Sequence, residues 1–87
     1  MKNAYKVYAI KDTKVGFMQP FIQPNDAVAV REFGNIVNSG NSMVSANYQD
    51  MELYCLGEYN QDTGKIVSEV EFIIKGADVK AVNVVEE

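Results

Sequence analysis

Within this chain a single stretch, Pro24 to Asn38, carries a helical apolar repeat, and whatever fold forms must be built against it. Val30, Phe33, Gly34 and Val37 fall at i, i+3, i+4 and i+7, with Ala29 and Ile36 widening the stripe. The ends are marked as clearly as the middle. Asn25 is a good N-cap, because its side-chain oxygen can accept from an unpaired first-turn amide. Asp26 sets negative charge at the positive end of the helix dipole, and Pro24 lies just outside. Asn38-Ser39-Gly40 supplies residues that tolerate a left-handed stop. Arg31, Glu32 and Asn35 occupy the other side of the helix, facing water. Gly34 lowers helix propensity by about 1 kcal/mol relative to Ala, which predicts close approach of the helix to a sheet.

The apolar segments around the helix alternate like strands. Residues 4–10 read as a first strand, with Tyr5, Val7 and Ala9 on one face and Lys6, Tyr8 and Ile10 on the other. After the turn at residues 11–14, residues 15–19 pair back, and Pro20, lacking an amide donor, ends that pairing or confines it to an edge. Phe21 and Ile22 are expected to pack beneath the helix. The connection from Ser39 to Asp50 is long enough to predict partial helix or a functional loop. Residues 51–59 form a third strand, with Leu53 and Cys55 on one face and Glu52, Tyr54, Leu56 and Glu58 on the other. A loop containing Gly64 leads into a fourth strand, residues 66–75. There Ile66, Val70, Phe72 and Ile74 alternate with Glu69, Glu71 and Lys75. The expected fold is α+β: a four-stranded antiparallel sheet in the order ββαββ with one helix packed on one face. Residues 1–78 form one domain, and 79–87 are a tail, an oligomer contact or a short edge strand.

Composition narrows the chemistry. The chain lacks histidine, the commonest general base and metal ligand. Cys55 is its one cysteine, expected as a buried structural thiol rather than a nucleophile. Asp50, Glu52 and Glu58 resemble a carboxylate cluster for Mg²⁺, with Glu52 and Glu58 on one strand face, yet no phosphate-cradling glycine loop accompanies them. Neither catalysis nor a cofactor or metal is expected. At 87 residues a domain buries only roughly 60–65% of its unfolded surface, which favours self-association into a homo-oligomer. No apolar run approaches the roughly 18 residues of a membrane span, and Lys6 and Lys11 interrupt any signal-peptide core, so a cytoplasmic location without membrane contact is expected.

The net charge of −4 is unevenly spread: residues 1–31 hold five cations against two acids, residues 32–87 three against ten. Such a protein lacks the overall field that drives non-specific DNA binding. One local exception stands out. Tyr5, Tyr8 and Phe17 share the N-terminal hairpin with Lys6, Lys11 and Lys14, and single-strand binders stack bases on aromatics while cations follow the backbone. The same aromatics also serve as the core of a small sheet without tryptophan. Arg31, the one arginine, has two expected roles: a pair with Asp26, Asp50 or Glu52, or contact with a phosphate or partner carboxylate. With Glu32 and Asn35 it forms a candidate partner-binding patch.

The ordered set of short matches resembles the small nonstructural protein of gokushovirus-type microviruses, phages with circular single-stranded DNA. The matching residues are Tyr5-Lys6-Val7-Tyr8, Gln19-Pro20-Phe21, Asn25-Asp26-Ala27-Val28-Ala29 with Arg31 and Phe33, and Val37-Asn38. They continue through Ser42-Met43, Asp50, Leu53-Tyr54, Gly57-Glu58-Tyr59 and Thr63-Gly64. The resemblance implies a protein of the host bacterial cytoplasm, not kept in the mature virion, that acts while single-stranded genomes are synthesised and packaged. It would serve as a non-catalytic adaptor between the replication initiator and procapsid proteins, or bind single-stranded DNA directly.

Overall fold

The computed structural model describes residues 4–81. Five strands form one antiparallel sheet: β1 (Ala4–Asp12), β2 (Gly16–Phe17), β3 (Phe21–Gln23), β4 (Met51–Asn60) and β5 (Ile66–Lys75). The order is β2-β1-β4-β5, with β3 also on β1. The long helix α1 (Asp26–Val37) covers one face; two single-turn helices, α2 (Met43–Ala46) and α3 (Gly76–Val79), and a 3₁₀ turn at Tyr48–Asp50 fill the corners. The α+β class and the antiparallel sheet with its packed helix are as expected.

The helix begins where its cap chemistry places it. Asn25 is extended, and its side-chain oxygen accepts from the Val28 amide at 2.9 Å. Ala29, Phe33 and Val37 are buried against Tyr8, Ile10, Met51, Leu53 and Cys55, which form the core. At the far end Asn38 keeps negative φ and closes the helix with its own groups: its amide and side-chain Nδ2 both donate to the Gly34 carbonyl. Nδ2 also donates to the Val79 carbonyl, and Oδ1 accepts from the Ala81 amide at 2.7 Å. Gly34 thus faces α3, not the sheet: a methyl built on it would sit 3.7 Å from Val79 Cβ. Val79 to Ala81 are tied to the domain by these contacts, and the expected edge strand or tail beyond them lies outside the described residues.

Three local expectations are corrected. Pairing of the first hairpin stops before Pro20, as expected, but the sheet gains another strand beyond it. After the Met18 amide bonds the Ile10 carbonyl, the chain steps out and returns as β3 to pair Lys6–Tyr8, so the sheet has five strands rather than four. Only Phe21 packs under the helix, stacked on Tyr8 at 5.9 Å, whereas Ile22, opposite Val7, points to the other face and is exposed. The third correction concerns β4, where strict alternation fails at Leu56: Val7 pairs Gly57, but Tyr8 pairs Cys55. This bulge turns Glu58, opposite Lys6, onto the helix side, away from the face that carries Glu52 and Tyr54. Gly57 makes the turn possible. Its φ is 150°, and a Cβ there would collide with the Val67 carbonyl oxygen.

Candidate functional site

The helix covers one face of the sheet and leaves the other bare. On this open face β2, β1, β4 and β5 present Phe17, Lys11, Tyr54 and Phe72 side by side. Lys11 pairs Phe17 and Glu52 in the ladders, Ala9 pairs Tyr54, and Tyr54 pairs Phe72. The rings meet edge to face, Phe17 to Tyr54 at 5.2 Å and Tyr54 to Phe72 at 5.6 Å between centroids. The Lys11 ammonium lies over both Phe17 and Tyr54, at 5.4 and 5.6 Å from their centroids. Ala9 is buried on this face, yet Phe17 and Phe72 keep 48% and 47% of their surface in water. The Tyr54 hydroxyl donates to Glu52 at 3.1 Å; partial desolvation and that bond raise its pKa, so the ring stays neutral.

Charge is distributed unequally between the two faces. Lys11 lies within the aromatic row, Lys14 is exposed in the adjoining turn, and Lys75 stands across from Glu52. Glu58, Glu69 and Glu71 instead line a cavity on the helix side, together with Lys6 and Cys55. The register shifts of β4 and β5 carry out this sorting. Exposed Ile22, Val70 and Ile66 extend the open face with apolar surface.

Five of the six hairpin residues singled out in the sequence divide between the two sides, and Lys14 lies in the turn between β1 and β2. Tyr5, Lys11 and Phe17 lie on the open face, Tyr5 at its far end opposite Tyr59. Tyr8 is fully buried in the core and cannot offer its ring to a ligand; its hydroxyl donates to Asp26 at 2.6 Å. Lys6 turns to the same helix side, 3.7 Å from Asp26. The carboxylate that was one expected partner of Arg31 is therefore engaged with Tyr8 and Lys6. Among the described residues Arg31 makes no ion pair, and it stands exposed one turn before exposed Asn35, with Glu32 half-buried beside it. Asp50, Glu52 and Glu58 do not converge: Asp50 ends the 3₁₀ turn, and Glu52 and Glu58 face opposite sides. Cys55 is buried, its thiol against the Gly57 carbonyl.

Tyr54 and Phe72 of this row are not among the candidates that the sequence marks. Alternation places Tyr54 on the strand face opposite Leu53 and Cys55, which is the available signal. Nothing local in the sequence marks the β5 irregularities that bring Phe72 beside it. No described helix is long and apolar enough to cross a membrane.

No curated protein and no solved structure matches this chain. A family model, described as Phage ORF5 protein, matches residues 5–79, from the first strand through α3. That span takes in the sheet, the helix and both surfaces described above, and the chain belongs to this family of phage proteins.

Proposed function

We propose that this phage protein is a nonstructural accessory factor of gokushovirus type, acting in the host bacterial cytoplasm during single-stranded genome synthesis and packaging. It works as a non-catalytic adaptor between the replication initiator and procapsid proteins, and leaves before the virion matures. The observation that supports this is the presence of two unpartnered surfaces back to back. One is the outer side of α1, where Arg31 makes no ion pair among the described residues and Asn35 is exposed; the other is the aromatic sheet face that α1 leaves open. A bridging protein needs two separate surfaces of different chemistry, and an exposed guanidinium suits a planar carboxylate on a partner. Self-association, expected of a chain this small, belongs to the same proposal and is read by light scattering.

The test is capture of purified initiator and of purified procapsids by the full chain and by an Arg31→Glu, Asn35→Ala variant. Loss of one partner with retention of the other is expected. Capture of neither by the unaltered chain, or loss of both in the variant, overturns the adaptor. The second reading, direct binding of single-stranded DNA by the N-terminal hairpin alone, is disfavoured because Tyr8 is buried and Lys6 faces the helix side.

A further inference from the structure

We infer that the helix-free face of the sheet is a stacking platform for single-stranded nucleic acid, built by Phe17, Tyr54 and Phe72 and bordered by Lys11, Lys14 and Lys75. It draws residues from both hairpins, and it rests on the proposed function only for the choice of DNA as the probe.

Three observations lead there. The first is ring placement. Phe17, Tyr54 and Phe72 form a continuous row across four strands, and the outer two rings are half in water. Sheet-borne aromatics of this kind accept unpaired bases, since every base has a π-face. The second is the cation within the row. Lys11 is held over two rings, where its charge reaches a phosphate beside a stacked base. The core of a protein–protein interface is depleted in lysine, so the part of this face where rings enclose the Lys11 ammonium favours a nucleic acid, and the exposed Ile22, Ile66 and Val70 beyond it are what the face offers a protein partner. The third is charge sorting. The chain is acidic overall, but Glu58, Glu69 and Glu71 lie on the opposite side. Glu52, the carboxylate in the row, accepts the Tyr54 hydroxyl. A duplex hides its base faces and needs a wider basic field than three lysines supply, which selects single strands.

Fluorescence anisotropy of a labelled oligothymidylate of about 15 nucleotides, titrated with the full chain across a salt series, tests the platform. Binding is expected at about 50 mM salt, with a duplex of equal length competing at least roughly tenfold less well. Phe17→Ala and Phe72→Ala should each weaken binding about tenfold, the worth of one base–ring stack. Both side chains are half exposed, so the fold should survive, which circular dichroism checks. Lys11→Gln should flatten the dependence of log K on log salt by about 0.7, one phosphate contact. Lys6→Gln, on the other face, should change neither affinity nor slope.

No binding at about 50 mM salt overturns the platform. So does unchanged affinity in both ring variants, or equal weakening by Lys6→Gln and Lys11→Gln. Conversion of an oligomer to a monomer by Phe72→Ala would also overturn it, by making this face a self-interface. Loss of DNA binding with initiator and procapsid still captured would sink the platform and leave the adaptor standing. DNA binding with neither partner captured would do the reverse.

Discussion

Tyr8 shows how one residue changes role between sequence and structure. Its ring is fully buried against Phe21 and the helix, and its hydroxyl meets Asp26 in the first turn of α1. Burial, then the hydrogen bond to Asp26 and the charge of Asp26, push its pKa well above the ordinary phenol range, with a smaller contribution from Cys55. A raised folded-state pKa means that the neutral phenol is favoured in the fold. Its contribution is therefore complete below the unfolded value of about 10 and is lost as pH rises above it. Stability is expected to stay flat with respect to this group through neutral pH and to fall in alkali, with the Tyr8 phenolate band appearing only as the chain unfolds. Tyr8→Phe should remove that late step and cost about 1 kcal/mol for the lost hydrogen bond. Alkaline titration followed by ultraviolet absorbance, alongside urea unfolding, measures both. A Tyr8 that ionised while the far-ultraviolet dichroism stayed native would contradict this account.

At the level of elements, two glycines have opposite meanings. Gly34 lies in the interior of α1, and the contact it would make through an added methyl, 3.7 Å from Val79, is an ordinary one. Gly34→Ala should therefore stabilise the protein, by about 0.5–1 kcal/mol, through helix propensity. Gly57 lies in the β4 bulge with positive φ, and any side chain would strike the backbone of β5. Gly57→Ala should cost about 3 kcal/mol or more, combining backbone strain with overpacking. Thermal unfolding of the two variants should shift in opposite directions. The bulge also decides which side chains share a face, so its loss would move Glu58 toward the aromatic row and disturb the open surface before the core.

For the whole molecule, the arrangement of layers sets where stability resides. β1 and β4 are paired along both edges and buried under α1, while β5 is exposed almost throughout and forms a sheet edge. Amide hydrogen exchange should be slowest at Tyr8, Ile10, Leu53 and Cys55, and faster along β5, where opening needs only the release of an edge strand. Protection of β5 equal to that of β4 would mean that a second molecule covers the edge. Among the described residues the same layering leaves one face of the sheet uncovered, which is where the aromatic row and its lysines meet water. A helix on both sides would have buried Phe17 and Phe72 in a second core.

The helix, its N-cap and the strands on either side of it were written in the sequence, because spacing and capping act within a few residues of one another, whereas β3 and the Asn38 bonds to Val79 and Ala81 were not. Asn25, Asp26 and the Ala29–Phe33–Val37 stripe needed no tertiary information to be placed. Lys11, expected in the turn, continues β1 on the opposite side, but that Lys6 and Tyr8 share a side followed from alternation along residues 4–10. Which of those sides would be covered did not. That depended on α1 choosing the face of Tyr8, Leu53 and Cys55, and on register shifts that turn Glu58 and Phe72 in opposite directions. A bulge is a compromise between two strands, and a side chain's face after it is set by its neighbour across the ladder. For that reason the open aromatic face, assembled from β2, β1, β4 and β5, exists only in the folded protein.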